Sequence, residues 1–312
     1  MASVASLMPR VRESIRSSLP DDFLALLEIQ ANSIRAASLL NDHVSNTTQR
    51  SFIELLDSDL DAVEGRMPRR IYASLQISIP AARLRLYSLP LLSRNSLKTT
   101  SDCPGALTKA IWYKGLHVAM QLVDTFAGWT QLPRGDHRDS TVELLIIHFR
   151  KQYLSAVVMA GMYFINLLVI DTNVSTEDKL LVRNYIKKAY ETITAQSTEE
   201  RDEPYRAGKA IEFLSRHIEA QGVALELRQP GNGNRPLNII NNGMRMVGHF
   251  RSKLRSSQES NLPEDSPVGG PDLPVLEDFT DLPPLGDDLS EWNAWFTGMD
   301  NISTFFTASD HL

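Results

Sequence analysis

Residues 153–170 read YLSAVVMAGMYFINLLVI, a run of eighteen residues without a charged side chain. A run of this length is close to what a helix needs to span a bilayer, and charged residues flank it on both sides. It also contains Ser155, Gly161 and Asn166, and it lies inside a longer helical pattern. We therefore interpret it as a buried core helix, with a membrane span as the alternative.

Apolar residues on both sides of this stretch recur at steps of three and four, which favours helices over strands. The stripes are Phe23, Leu26, Leu27, Ala31 and Ile34; Leu55, Leu56 and Leu60; Ile71, Leu75, Ile79, Ala82, Leu86 and Leu89; Ile111, Trp112, Leu116, Met120 and Val123; Val182, Ile186, Ala189 and Ile193; and Ala207, Ile211, Leu214 and Ile218. Residues 1–18 fit a plain amphipathic helix better than a mitochondrial presequence, and no secretory signal is recognisable. The sequence predicts an all-α domain over residues 1–228, a bundle or array of about eight helices.

Local signals predict where some of these helices begin or bend. Ser51-Phe-Ile-Glu54 and Ser175-Thr-Glu-Asp178 both have the pattern of a capping box, so we expect a helix to begin at each. Pro80 lies inside the third stripe and is expected to kink that helix or to split it in two.

The net charge of −6 conceals two oppositely charged regions. Residues 261–312 contain eleven Asp or Glu and no Lys or Arg, whereas the preceding 260 residues carry 32 basic and 27 acidic side chains. The tail is also rich in proline, so we predict that residues 261–312 are a disordered acidic segment.

Residues 229–260 separate the helical domain from this tail, and we interpret them as a flexible basic linker. They begin with the turn-forming sequence Pro-Gly-Asn-Gly-Asn and end in a weakly helical pattern over residues 244–255. The basic residues of that end, which suit nuclear import or contact with phosphates, are Arg245, Arg251, Lys253 and Arg255. A solvated linker without a partner is the alternative.

Motifs that would support an enzyme are incomplete. The segments Asp21–Ala25 and Asn41–Gln49 resemble the metal-binding motifs of terpene synthases, but each lacks a required acid. Asp57-Ser-Asp59-Leu-Asp61 begins like a calcium loop, yet the positions that need Gly and Glu hold Ala62 and Pro68. Cys103 is the single cysteine, which excludes a disulfide framework or a multi-cysteine metal site. We expect no catalytic activity, no metal and no cofactor; a helical isoprenoid-type enzyme is the most distant alternative.

The tail interleaves its acids with large apolar side chains. Because the acids repel one another and apolar residues are few, the segment cannot bury its aromatics by itself. One helical face would carry Leu289, Trp292, Phe296 and Met299, the neighbouring Trp295 adds a third aromatic ring, and Phe305 and Phe306 follow. These seven residues are the predicted partner-binding set, typical of an acidic activation domain that folds into a hydrophobic groove. A tail that docks back on the helical body, or is inert, is the alternative.

A helical body followed by an acidic aromatic tail resembles the regulatory half of fungal zinc-cluster transcription factors, their middle homology region. The resemblance rests on the segments 75–92, 148–169, 175–193 and 202–216, and it covers about residues 1–225 in order. Family members bind DNA through six cysteines near the N-terminus. This sequence has Cys103 alone, so no zinc-binding or DNA-contacting position can be carried over.

The resemblance implies a transcription regulator of the nucleus. In the family the helical region controls activity, in some members through small molecules, and it supports homo- or heterodimers. For this chain it implies recruitment of a coactivator or another protein through the acidic tail, contact with DNA only indirectly or weakly, and no membrane association. The alternative from another class is an all-α scaffold or adaptor without transcriptional activity.

Overall fold

The computed structural model describes residues 21–41, 46–66, 72–92, 106–130, 140–170, 175–199 and 202–221, together with residues 239, 240, 243, 246–248, 250 and 252. The seven contiguous segments contain seven helices: α1 (Asp21–Asn41), α2 (Asn46–Arg66), α3 (Tyr72–Leu92), α4 (Ala106–Thr130), α5 (Ser140–Ile170), α6 (Thr176–Thr194) and α7 (Glu203–Gln221). The described residues between 239 and 252 are also helical. No strand occurs in these parts of the chain, so the all-α prediction is confirmed for them.

The helices form an array built around α3 and α5. Helices α1 and α2 pack against each other and against α3. Helix α3 also packs against α4 and α5, and α5 packs in turn against α4, α6 and α7. A small apolar cluster joins α1, α2 and α3, and a larger one extends from α2 through α5 to α7.

Helix α5 is the centre of the larger cluster. Every residue from 153 to 167 is buried, including Ser155 and Asn166. Neighbouring helices therefore cover all sides of this part of α5, which confirms the interpretation as a core helix and explains why its sequence lacks a polar face. Within the part of the chain that the structure describes, no helix combines the length and the apolar character that crossing a membrane requires.

Helix α1 buries a different face from the predicted one. The stripe that ends at Ile34 was expected to face the core, but Ile34 is 44% exposed. The buried residues are instead Ala25, Ile29, Asn32 and Ala36. Asn32 Nδ2 donates a hydrogen bond to the Leu56 carbonyl oxygen at 2.8 Å, so the amide is partly satisfied inside the interface. This bond and the small alanines allow α1 to approach its neighbours closely on that face.

The predicted helix starts and the predicted break at Pro80 were only partly confirmed. Ser175 does cap α6, since its hydroxyl accepts a hydrogen bond from the Asp178 backbone N–H at 3.0 Å. The prediction that a helix begins at Ser51 was wrong. Helix α2 begins five residues earlier, and Glu54 pairs with Arg50 at 2.8 Å on the helix surface. Helix α3 continues through Pro80 to Leu92 and is not split.

The segment interpreted as the second half of the linker contributes to the core. Ile239, Ile240, Met246, Val247 and Phe250 are each at most 5% exposed. A Cβ on Gly243 would lie 2.3 Å from Met162 Sδ, so this segment lies directly against α5. The Phe250 ring lies 6.5 Å from the Phe213 ring of α7. The helical body therefore extends beyond residue 228, because the apolar residues at positions i, i+1, i+7, i+8 and i+11, together with Gly243 at i+4, form one helical stripe.

Candidate interaction surface

The residues predicted from the sequence to bind partners lie outside the described part of the chain. This applies to Leu289, Trp292, Trp295, Phe296, Met299, Phe305 and Phe306, and to the basic residues Arg245, Arg251, Lys253 and Arg255. The described residues hold two other features that bear on function: an ion network between α2 and α3, and two exposed leucines of α6 near its contact with α4.

The three aspartates that begin like a calcium loop lie inside α2, where each faces an arginine. Asp59 pairs with Arg35 of α1 at 3.1 Å. Arg83 of α3 contacts both Asp57 and Asp61. A helix cannot wrap its side chains around a cation as a loop does, so this segment is structural.

Arg83 is the centre of the ion network. It lies 2.9 Å from Glu64 and 3.5 Å from Asp57, and it also contacts Asp61. Burial opposes the charge on Arg83, but Glu64, Asp61 and Asp57 outweigh this effect and raise its pKa. Lys114 of α4 adds a second cation, 3.2 Å from Asp57. The network thus joins α2, α3 and α4.

Two tyrosines lie between this network and the core. Burial raises the pKa of Tyr87, and a hydrogen bond with Asp57 raises it further. Burial also raises the pKa of Tyr163, whose hydroxyl donates to the Trp112 carbonyl oxygen at 3.1 Å. Both phenols are therefore neutral at physiological pH. They act as hydrogen-bond donors, not as proton-transfer groups: Tyr87 joins α3 to α2, and Tyr163 joins α5 to α4.

The network does not form a metal centre. Two cations, Arg83 and Lys114, offset two of the charges on its three carboxylates, which leaves little negative charge for a metal ion. In the described segments there is no group of three or more His, Cys, Asp or Glu side chains arranged to hold a metal.

Hydrogen bonds join α4 and α6 at two levels. At one level the Tyr113 hydroxyl donates to Asp178 Oδ2 at 3.2 Å. At the other level Asp124 accepts from the Tyr185 hydroxyl at 3.0 Å and from Lys188 Nζ at 2.7 Å. Because both contacts advance in the same direction along the chain, the two helices run parallel.

Two leucines of α6 are exposed near this contact, and we call them the α6 leucine pair. Leu181 is 37% exposed and Leu180 is 59% exposed, although the same helix buries Val182 and Ile186. Leu180 lies two residues after Asp178, so it is on the side of α6 away from α4. Exposed apolar side chains that lie together form a candidate interaction surface.

The lysines near the α6 leucine pair take part in ion pairs. Lys187 lies 3.8 Å from Glu191, and Lys188 lies 2.7 Å from Asp124. Arg183 is exposed on the same side of α6 as Leu180, about one turn away. These ion pairs are solvent-exposed and are each worth only about 0–1 kcal/mol.

A second exposed apolar patch lies on α2. Leu55 is 57% exposed and Phe52 is 40% exposed. The charges around it, Arg50 with Glu54 and Arg35 with Asp59, are balanced in pairs. The charges near the α6 leucine pair are balanced in the same way.

The α6 leucine pair was not predicted from the sequence. Its signal was available in the stripe of α6, where Leu180 and Leu181 fall outside the spacing of the buried residues Val182, Ile186, Ala189 and Ile193. The position of α4 beside α6 depends on tertiary packing, which a single sequence does not reveal.

Comparisons of the chain with protein-family models, with curated proteins and with solved structures find no match. The resemblance to the zinc-cluster factors consequently remains a hypothesis.

Proposed function

We propose that the chain is a transcription regulator of the fungal zinc-cluster type that lacks a zinc cluster of its own. In this proposal the helical body is a sensor or dimerisation surface, and residues 261–312 recruit the transcription machinery in the nucleus. The protein acts by binding and not by catalysis, and it reaches DNA only indirectly or weakly.

The observation that carries the proposal is the composition of the tail. Eleven acids and no basic residue keep Trp292, Trp295 and Phe296 accessible to a partner with a hydrophobic groove and a basic rim. The all-α body of the described residues is compatible with the resemblance.

The tail would act through a coupled folding and binding step. Leu289, Trp292, Phe296 and Met299 would form one face of a helix on the partner, and Trp295 would contact its edge. Buried aromatic side chains carry most of the binding free energy at such interfaces. The acids would contribute association rate and specificity, since exposed charges steer encounters but add little net affinity.

A fusion of residues 261–312 to a heterologous DNA-binding domain tests this proposal. We expect the fusion to activate a reporter gene in a fungal host. The triple variant Trp292→Ala, Trp295→Ala and Phe296→Ala should reduce reporter activity to background, because it removes the three aromatic anchors. The matched control is Phe279→Ala, an aromatic residue of the same tail outside the predicted helical face, which should retain most of the activity.

A silent fusion that is expressed and nuclear would contradict activation by the tail. Full activity of the triple variant would contradict the named anchors. In the first case the all-α scaffold becomes the better interpretation, and the α6 leucine pair is the observation that favours it.

A further inference from the structure

We propose that residues 239–252 form a detachable helix, and that the face of α5 and α7 beneath it binds a second amphipathic helix of the same pattern when the first is released. We call residues 239–252 the strap. Release of the strap is a partial opening in which α1–α7 stay folded. The strap ends before residue 261, so its release is a property of the helical body and not of the acidic tail.

The strap lies across two helices that are themselves in contact. Helices α5 and α7 pack against each other. At Gly243 the strap lies directly against Met162 of α5. At Phe250 it has reached α7, where the Phe250 ring is 6.5 Å from the Phe213 ring and 5.4 Å from the His217 ring. Release of the strap therefore uncovers apolar and aromatic groups on both helices at once.

The buried side of the strap defines the kind of helix that fits this face. Two large apolar residues, Ile239 and Ile240, precede Gly243, and another pair, Met246 and Val247, follows it. Hydrophobic contacts have little directionality, so the face recognises the spacing of these side chains together with a small residue opposite Met162. A partner helix with the same spacing presents the same groups to α5 and α7.

The strap is held less firmly than the helices beneath it. Burial of its five apolar side chains favours docking, whereas ordering of its backbone opposes docking by an effect of similar size. A single short helix also has little stability of its own in water, so a released strap gains entropy. Segments with such a balance open as units at a lower free energy than the whole protein.

The chain before the strap is long enough for its release. Seventeen residues separate Gln221, the last residue of α7, from Ile239. They include the turn-forming sequence of residues 230–234 and Pro236. A flexible chain of that length has a root-mean-square end-to-end distance of roughly 20–25 Å, so the strap can leave while α7 stays in place. The same tether keeps the strap at a local concentration on the order of millimolar, which an external helix has to overcome.

Hydrogen exchange of the full-length chain, followed by mass spectrometry, tests the opening. We expect the amides of residues 239–250 to exchange about tenfold or more faster than those of residues 153–167 in α5, yet more slowly than a free peptide of the strap sequence. Exchange as slow as in α5 would make the strap a permanent part of the core. Exchange as fast as in the free peptide would mean that the strap is not docked. Either result would overturn the proposal.

Two glycines of the strap provide a matched pair of variants. Gly243→Ala should accelerate exchange of the strap severalfold, because its Cβ would lie 2.3 Å from Sδ of the fully buried Met162. Nothing lies within 4 Å of a Cβ on Gly248, so Gly248→Ala should leave the exchange unchanged or slow it, since alanine favours a helix. If Gly243→Ala lowers the helical content measured by circular dichroism, Phe250→Ala takes its place, because it removes the ring contact with Phe213. Equal acceleration in α1 and α2 would show that the strap opens only with the whole body, against the proposal.

A fluorescent peptide of residues 237–254 is the probe for the uncovered face. We expect it to bind the full-length Gly243→Ala chain about tenfold more tightly than the Gly248→Ala chain, because the weakened strap leaves the face open more of the time. A control peptide with Met246→Asp and Phe250→Ala should bind neither chain. Equal affinity for the two chains, or no binding to Gly243→Ala, would contradict the proposed site. The reporter fusion uses the tail without the body, so activation by the tail and release of the strap can fail independently.

Discussion

Tyr163 joins α4 and α5 at a point where neither helix has space for another atom. Its side chain is fully buried, and its hydroxyl donates to the Trp112 carbonyl oxygen. Three residues further along α4, a Cβ on Gly115 would lie 2.0 Å from that hydroxyl oxygen. Glycine at position 115 is therefore required by the close approach of the tyrosine and not by the backbone conformation.

Gly115→Ala should destabilise the protein by about 1–3 kcal/mol, because Tyr163 is enclosed by the core and cannot move without losing its hydrogen bond. The measurement is equilibrium unfolding in urea. Gly128→Ala is the matched control in the same helix, since nothing lies within 4 Å of its Cβ. Alanine there should be neutral or stabilising by up to about 1 kcal/mol, as expected for glycine in a helix. Equal stability of the two variants would contradict the packing described for Tyr163.

The start of α7 shows how one side chain organises a helix and its preceding turn. Asp202 precedes the first residue of α7 and accepts hydrogen bonds from the backbone N–H groups of Tyr205 and Thr198, at 2.9 and 2.8 Å. The Ser197 hydroxyl donates to the same carboxylate at 2.9 Å. Burial disfavours the charge on Asp202, but these hydrogen bonds outweigh it and lower its pKa.

Asp202→Ala should cost about 0.5–2 kcal/mol at pH 7, since it removes the cap of α7. A lowered folded-state pKa means that the charged carboxylate stabilises the protein fully above pH 3.8, the reference value, and that this contribution is lost as pH falls through the folded-state pKa. The difference between variant and parent should therefore shrink in acid. Thermal unfolding at pH 7 and at pH 3 measures it, with Glu199→Ala as the control in the same turn. A pH-independent difference would show that Asp202 does not act through its charge.

The helices were predictable from the spacing of apolar residues in the sequence. The buried face of α1 and the start of α2 were not, and each has a physical reason. The stripes of α6 and α7 face the core as expected, because each of these helices has one apolar face. Helix α1 has leucines on several sides, so its pattern did not decide between faces, and the Asn32 hydrogen bond to α2 selected the other one. The capping signal at Ser51 failed because the same residue types also pair along a helix surface, as Glu54 does with Arg50. The hydrogen bonds between α4 and α6 join two helices far apart in sequence and were beyond such patterns.

At the scale of the whole molecule, the boundary of the helical body lies later than composition indicated. The change of composition at residue 228 marks a change in polarity and glycine content. Five apolar side chains beyond it are nevertheless buried against the core. Phe250 lies near both Phe213 and His217 of α7, with ring centroids 6.5 and 5.4 Å apart. The segment between 239 and 252 thus belongs to the folded unit.

A chain that ends at residue 228 should therefore be much less stable than one that ends at residue 256. Each of the five lost side chains contributes about 1.5–3 kcal/mol by burial, before the entropy of ordering is subtracted, and whole domains are stable by only about 5–15 kcal/mol. Thermal unfolding and binding of a hydrophobic dye compare the two truncations. The longer chain should unfold like the full-length protein, and the shorter one should melt at lower temperature and bind dye. Equal melting would place the segment outside the cooperative unit.

The burial of α5 on all sides also has a consequence for the order of events during synthesis. The apolar run of α5 is complete at Val169, but α6, α7 and the segment that reaches Phe250 follow it on the chain. At a translation rate of about 5–20 residues per second, roughly 4–16 s pass before the last of these segments has been synthesised. During that interval the nascent chain presents its most hydrophobic helix with part of its surface uncovered. Newly made protein should depend on chaperones at this stage, and slower translation of residues 170–250 should lower the yield of soluble product.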